Sequence, residues 1–115
     1  MAGFYQWETE PLKIRVRYKD GQGNPLEGYR LIVVSLDQGV GRGLYHGDYF
    51  FEEGSPDVDV AEQTINLYLD QEESGKYAAG PTDVQVNILY SDRERDVTVE
   101  GEIEVWKNLY PKEME

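Results

Sequence analysis

The sequence predicts an all-β fold in which two antiparallel sheets pack against each other. The strongest observation is the segment 83–106, where two runs of alternating apolar and polar residues flank the polar turn SDRERD. A period of two is typical of strands that bury one face, and two such runs around a short turn predict a β-hairpin. Residues 12–19, LKIRVRYK, alternate in the same way, and the turn DGQGNPLEG follows them. These patterns favour strands joined by tight turns.

The same alternation predicts an immunoglobulin-like antiparallel β-sandwich of about seven strands. We expect the strands at residues 12–19, 29–36, 44–51, 58–61, 64–69, 83–90 and 97–107. Residues 1–11 are predicted to form an N-terminal aromatic arm, residues 12–110 the sandwich domain, and residues 111–115 a C-terminal tail. The predicted core contains Leu12, Ile14, Val16, Leu31, Val33, Ile65, Leu67, Val84, Val86, Ile88, Val99, Ile103 and Val105.

A short helical turn is expected between the strands at 64–69 and 83–90. Asp70 is positioned to accept a hydrogen bond from the first backbone N–H groups of that turn, with Glu73 in the reciprocal position of a capping box. Gly75 is expected to end the turn.

The first and last predicted strands carry opposite charges. Lys13, Arg15, Arg17 and Lys19 alternate with apolar residues in the first strand, and Glu100, Glu102 and Glu104 do so in the last. We therefore expect the two strands to be neighbours in one sheet, with a cross-strand ladder of charge pairs. Such a ladder would mainly fix the register, because a slip of one residue would bury charge.

Interface residues are predicted in two aromatic segments. Phe4, Tyr5 and Trp7 lie in the arm, and Tyr45 and Tyr49 lie in the strand LYHGDYFF. Aromatic side chains are enriched at the centres of protein interfaces. Two interpretations of the arm stay open: it folds back onto its own domain, or it docks on a neighbouring subunit.

Composition limits the classes of function. The chain has 115 residues, no cysteine and a net charge of −12. One domain is expected, without disulfides, and the acidic balance disfavours nucleic acids and anionic membranes as partners. With no long apolar run and no signal-peptide pattern at the N-terminus, we expect synthesis in a cytoplasm without secretion.

No catalytic or cofactor-binding constellation is predicted, and the chain is expected not to be an enzyme. The spacing of its carboxylates selects no acid–base pair of the kind that glycoside hydrolysis uses. One acidic cluster has the oxygen density of a Ca²⁺ site, although its spacing matches no standard calcium loop. Its members are Asp48, Glu52, Glu53, Asp57 and Asp59. His46, the only histidine, is interpreted as structural.

Three segments resemble a known module. They are LKIRVRYKDGQGNPLEGYRLIVV at 12–34, TINLYLDQEESGKYAAGPTDVQVNILY at 64–90 and VTVEGEIEVW at 97–106. Their order is similar to that of the immunoglobulin-like domain at the N-terminus of phage baseplate upper proteins. The aromatic and acidic segment at 37–59 departs from that pattern. The resemblance implies a β-sandwich that assembles into a virion, with other virion proteins and itself as partners and no catalytic residues.

Two functions remain open at this level. The first is a non-catalytic structural module of a phage particle, in the tail, the baseplate or a head-attached appendage. The second is a carbohydrate-binding sandwich for host or glycan attachment, in which aromatic rings stack on a sugar and carboxylates bind its hydroxyl groups. Its candidate residues are Tyr45, Tyr49, Tyr68, Trp106, Asp48 and Glu52.

Overall fold

A computed structural model of the chain describes residues 3–5, 7–9, 11–17, 22–39 and 44–90, together with the backbone of 97–106. Within these residues the chain forms eight strands and one short helix. In chain order they are β1 (Gly3–Tyr5), β2 (Pro11–Arg15), β3 (Tyr29–Asp37), β4 (His46–Glu52), β5 (Val58–Asp59), β6 (Thr64–Tyr68), α1 (Gln71–Ser74), β7 (Gly80–Tyr90) and β8 (Val97–Trp106). The helix has four residues, and no helix in the described part is long and apolar enough to cross a membrane.

The strands form two sheets, which confirms the prediction of an all-β sandwich. The larger sheet has the order β1-β8-β7-β3-β4, and the smaller sheet has the order β2-β6-β5. All pairs are antiparallel except β1 and β8, which run parallel with Phe4 opposite Val105. The arm is therefore an edge strand of the larger sheet, which the sequence did not predict. The residues of the predicted tail, 111–115, lie outside the described part of the chain.

The predicted hairpin of 83–106 is confirmed as β7 and β8. Val86 pairs with Val99 and Ile88 with Val97. Alternate residues of β7 are buried from Thr82 to Tyr90, as the period of two predicted. The side chains of β8, including the predicted core residues Val99, Ile103 and Val105, lie outside the description.

The core lies between the two sheets. Buried aliphatic side chains enter it from both sides, and full burial of such a side chain contributes about 1.5–3 kcal/mol relative to an exposed position. The larger sheet supplies Ile32, Val34, Leu36, Val84, Val86 and Ile88, and the smaller sheet side supplies Leu12, Val16, Ile65 and Leu67. Leu26, in the turn before β3, is also buried.

The predicted ladder between the first and last strands is wrong. β2 pairs with β6 in the smaller sheet, with Leu12 opposite Leu67 and Ile14 opposite Ile65. β8 belongs to the larger sheet, between β1 and β7. The basic stripe of Lys13, Arg15 and Arg17 therefore cannot pair across strands with the acidic residues of β8. Burial of apolar side chains between β2 and β6 determines the neighbours here, because exposed charge pairs stabilise by only about 0.2–1 kcal/mol each.

The predicted inward face of β3 is also wrong. Ile32 and Val34 are fully buried, whereas Leu31 and Val33 are partly exposed. The sequence LIVV is apolar on both faces, so its period gives no preference. The pairing register determines which face of β3 points inward, because Ile32 pairs with Ile88 and Val34 with Val86, the inward residues of β7.

The capped turn is confirmed. The Asp70 side chain accepts a hydrogen bond from the Glu73 backbone N–H over 2.8 Å, and Gly75 is the C-cap. The Glu73 side chain does not reach back as a capping box requires. It binds two tyrosines and a lysine, as described below.

Candidate functional site

β4 forms one edge of the larger sheet, and its two faces differ in environment. Gly47 and Phe51 point inward and are buried, with Tyr49 partly buried between them. His46, Asp48 and Phe50 alternate with these residues and point away from the core. Phe50 is 65% exposed, the highest value among the large apolar side chains of the described residues.

The outward residues of β3, β4 and β7 form one surface, which we call the outer face. Cross-strand pairs join its rows, such as Val33 with Phe50 and Asn87, and Leu31 with Glu52 and Leu89. The apolar residues Leu31, Val33 and Leu89 lie toward one end with Phe50 and Glu52, and the other acidic residues lie toward the opposite end. The full set is Leu31, Val33, Ser35, Asp37, His46, Asp48, Phe50, Glu52, Asp83, Gln85, Asn87 and Leu89.

A polar cluster, the His46 cluster, occupies the acidic end and consists of Ser35, Asp37, His46 and Asp48. The imidazole bridges two carboxylates, with Nδ1 2.9 Å from Asp37 Oδ1 and Nε2 2.8 Å from Asp48 Oδ1. Ser35 Oγ donates to Asp48 Oδ1 over 2.6 Å. The hydrogen bond with Asp37, followed by that with Asp48, raises the pKa of His46 above its usual 6.5. The hydrogen bond from Ser35 lowers the pKa of Asp48.

The His46 cluster lacks the geometry of a serine hydrolase. In a catalytic triad the imidazole accepts the proton of the serine hydroxyl. Here the Ser35 hydroxyl donates to a carboxylate, and both imidazole nitrogens face carboxylates. The cluster instead joins β3 to β4, since Asp37 pairs with His46 and Ser35 with Asp48. The interpretation of His46 as structural agrees with this placement.

A second polar cluster, the Glu73 cluster, lies on the inward side of β4 and contains Tyr45, Tyr49, Glu73, Lys76 and Tyr77. Glu73 Oε2 accepts hydrogen bonds from Tyr49 over 2.6 Å and from Tyr45 over 2.9 Å. Lys76 Nζ lies 3.2 Å from Glu73 Oε1, and the hydroxyls of Tyr49 and Tyr77 are 2.7 Å apart. The cluster therefore fastens the turn around α1 to the edge of the larger sheet.

Burial and hydrogen bonding together shift the pKa values of the Glu73 cluster. Burial is the main cause that raises the pKa values of Tyr49 and Tyr77 above the usual 10. Burial also acts to raise the pKa of Glu73, but the hydrogen bonds from Tyr49, Tyr45 and Lys76 outweigh it and leave that pKa lowered. Glu73 is thus an ionised acceptor with neutral and cationic donors around it, a stable arrangement for a partly buried carboxylate.

The arm contacts its own domain. The Phe4 ring is 2% exposed and packs edge-on against Tyr77, with centroids 5.4 Å apart. Ser74 Oγ donates to the Glu8 carbonyl over 3.0 Å, and the Trp7 ring lies directly on Gly75, where a Cβ atom would overlap it. Of the three aromatic residues that the sequence offers as arm interface residues, Tyr5 is the most exposed, at 44%.

The five acidic residues of the calcium hypothesis are not brought together. Asp48 belongs to the His46 cluster, and Asp59 accepts a hydrogen bond from the Glu62 N–H over 3.0 Å. Glu52, Glu53 and Asp57 follow one another around the turn from β4 to β5. Among the residues that the structure describes, no three acidic or histidine side chains form a set that could hold a metal ion.

The glycan hypothesis draws on residues from both sheets. The hydroxyls of Tyr45 and Tyr49 bind Glu73, whereas Tyr68 is 58% exposed on β6 of the smaller sheet. Asp48 and Glu52 point from the outer face of the larger sheet. The side chain of Trp106 lies outside the description. The described candidates therefore do not line one common surface.

The smaller sheet carries a surface of opposite charge, which we call the basic face. Lys13, Arg15 and Arg17 are exposed and alternate with the buried Leu12 and Val16. The exposed Tyr68 and partly exposed Asn66 on β6 continue this surface. A shallow open depression lies at its end, lined by Arg15, Arg17, Gly23, Glu62 and Gln63.

Phe50 and Glu73 are the residues whose roles the sequence did not predict. Phe51 is 7% exposed, whereas its neighbour Phe50 faces solvent. The period of two indicates that Phe50 and Phe51 differ in burial, because neighbours in a strand point to opposite faces. For Glu73 the capping pattern pointed to the backbone, and no local pattern indicated the tyrosines.

Comparison of the chain with family models, with curated proteins and with solved structures finds no match.

Proposed function

We propose that this chain is a non-catalytic structural module that acts through protein–protein contacts, as an assembly component of a bacteriophage particle. Its place in the particle would be the tail, the baseplate or a head-attached appendage. The observation that carries the proposal is Phe50, exposed to 65% on the outer face of the larger sheet.

The surroundings of Phe50 have the composition of an interface. Val33 lies opposite it on β3, and Leu31 and Leu89 lie one row further along. Asp48 and Glu52 flank it on β4. Protein interfaces commonly combine an aromatic centre with a polar rim. An exposed apolar patch with a polar border is a recognised mark of a docking site.

The polar clusters support a structural role over a catalytic one. In the His46 cluster the serine donates to a carboxylate rather than to the histidine. In the Glu73 cluster the carboxylate is bound by two phenols and an ammonium group. Both clusters join neighbouring elements of the fold, and neither pairs a nucleophile with a base.

The assignment to a bacteriophage particle is proposed from the sequence resemblance alone. Residues 12–34, 64–90 and 97–106 are similar to the immunoglobulin-like module of phage baseplate upper proteins. The β-sandwich agrees with what that resemblance implies about fold. Many sandwiches with unrelated functions share this architecture, so the test must be made on the particle itself.

The experiment is particle incorporation. The chain would be expressed with a short peptide tag in a host that produces the particle. Purified particles would then be analysed by mass spectrometry. We expect the chain in intact particles at a fixed ratio to the other virion proteins. Phe50→Asp is expected to lower that ratio, and Phe50→Leu, which keeps an apolar side chain, is the control.

Absence of the wild-type chain from purified particles would contradict the virion proposal. If the chain were absent and a glycan array gave hits that Tyr68→Ala abolished, carbohydrate binding would become the better function.

A further inference from the structure

We infer that copies of this chain associate head to tail, with the basic face of one copy seated on the outer face of the next. This inference rests on the proposed function, because it names a second copy as one partner of the assembly module. The observation behind it is charge complementarity between two exposed surfaces of the same chain.

The two surfaces lie on opposite sides of the sandwich. Leu12 and Val16 enter the core from the smaller sheet, and Ile32 and Val34 enter it from the larger sheet. Residues that alternate with them point away from the core in opposite directions. The basic face and the outer face therefore cannot meet within one copy, but they can meet between copies.

The charges of the two faces are opposite in sign. Lys13, Arg15 and Arg17 are exposed, and within the described residues none of them forms an ion pair. The outer face carries four carboxylates and, apart from His46, no described basic side chain. These carboxylates belong to Asp37, Asp48, Glu52 and Asp83. Asp48 and Glu52 lie on β4 on either side of Phe50, and Asp37 and Asp83 lie opposite each other on β3 and β7.

Shape and apolar area support the same contact. The outer face presents Phe50, and the basic face presents Tyr68, 58% exposed. The depression offers an incoming carboxylate the guanidinium groups of Arg15 and Arg17, with the Glu62 carboxylate beside them. An aromatic ring beside arginine adds a favourable cation–π contact. Because the two surfaces differ, the contact is heterologous and leads to rings or open stacks.

The test is the solution mass of the purified full chain and two variants, measured by sedimentation velocity over a range of concentrations. Wild type is expected to exceed the 13.2 kDa of one copy as concentration rises at 0.15 M salt. Association should weaken at 1 M salt, where charges are screened within about 3 Å. The first variant, Lys13→Glu with Arg15→Glu, reverses the charge of the basic face. The second variant, Phe50→Asp, places a charge at the apolar centre of the outer face.

Each variant alone is expected to associate at least about tenfold more weakly, because each retains only one of the two surfaces. An equimolar mixture of the two variants should form a 1:1 dimer that grows no further. The intact outer face of the first variant can bind the intact basic face of the second, while the two altered surfaces repel. Lys13→Arg with Arg15→Lys, and Phe50→Leu, are the controls expected to associate like wild type.

A wild type that stays monomeric at every concentration would overturn the inference. So would a Lys13→Glu with Arg15→Glu variant that associates normally, which would indicate a symmetric contact or another surface. Neither result affects the proposed function, which is tested by incorporation into particles.

Discussion

The Tyr49 hydroxyl donates to Glu73 Oε2 over 2.6 Å and thereby connects strand β4 to helix α1. The same hydroxyl lies 2.7 Å from that of Tyr77, whose ring packs against Phe4. One edge of the larger sheet, the capped turn and the N-terminal strand are thus joined through the hydrogen-bonded phenols of Tyr49 and Tyr77.

Replacing Tyr49 with Phe should therefore destabilise the chain. The change removes a hydrogen bond to an ionised carboxylate at a partly buried site, and we expect the free energy of unfolding to fall by about 1–3 kcal/mol. Urea denaturation would measure the loss. Tyr68→Phe, at a position 58% exposed, is the matched control and should change stability by less than about 0.5 kcal/mol. Equal effects of the two substitutions would contradict the role given to Tyr49.

Gly75 should not tolerate alanine while Trp7 is present. A Cβ atom at this position would overlap the Trp7 ring, and overpacking of this kind costs about 1–3 kcal/mol. The backbone itself accepts alanine, because Gly75 has a right-handed helical φ of −72°. The loss would be measured by urea denaturation.

A double-mutant cycle separates the ring contact from other effects of Gly75→Ala. In a Trp7→Ala background the added methyl group meets no ring, so the same substitution should cost much less. A cost that is equal in both backgrounds would show that the Trp7 contact is not the cause.

Stability should depend on pH through His46. Its hydrogen bond with Asp37, and then that with Asp48, raises the folded-state pKa above 6.5. A raised pKa means that this contribution is fully present below about pH 6.5 and is lost as pH rises through the higher folded-state value. We expect wild type to lose stability over that interval and His46→Gln to lose less, as measured by thermal unfolding at fixed ionic strength.

The contribution of Asp48 to stability has the opposite dependence on pH. The hydrogen bond from Ser35 lowers its folded-state pKa below 3.8, so its contribution is present above that value and is lost as pH falls through the lower one. Asp37 contacts the same imidazole, and Asp83 pairs with Asp37 across the strands.

An identical pH profile of stability for wild type and His46→Gln above pH 6.5 would rule out His46 as the source of the pH dependence.

The orientation of β3 can be tested by truncation at adjacent residues. Ile32 is fully buried and Leu31 points to the outer face. Ile32→Ala should therefore cost about 2–5 kcal/mol, the range for large-to-small core substitutions. Leu31→Ala should cost clearly less. If Leu31→Ala lowered the free energy of unfolding more than Ile32→Ala in urea denaturation, the orientation that the sequence predicted would be correct.

The parts of the fold that the sequence predicted are those with a local pattern. Alternation from Val84 to Tyr90 specified the inward face of β7, and the spacing of Asp70 and Gly75 located the helical turn. LIVV in β3 lacks alternation, so its orientation depends on pairing with β7, a long-range contact. The position of β2 likewise depends on packing against β6, which charge complementarity with β8 could not reveal.

The candidate site was less predictable for the same reason. The two halves of the Glu73 cluster are separated in sequence and meet only through the tertiary fold. The exposure of Phe50 could have been predicted from its alternation with Tyr49 and Phe51 once one inward residue of β4 was known. The arm gave no strand signal, because its three-residue β1 is shorter than a period-two pattern can resolve.

The parallel pairing of β1 with β8 has a consequence for biosynthesis. Gly3 pairs with Glu104, so a ribosome adding about 5–20 residues per second completes the partner strand on the order of 5–20 s after Phe4 is made. Until β8 is made, Phe4 has no strand to pair with, and the eleven-residue β7, which is made shortly before β8, presents an open edge. Incomplete chains, rather than finished ones, are therefore the species most exposed to aggregation and to chaperones.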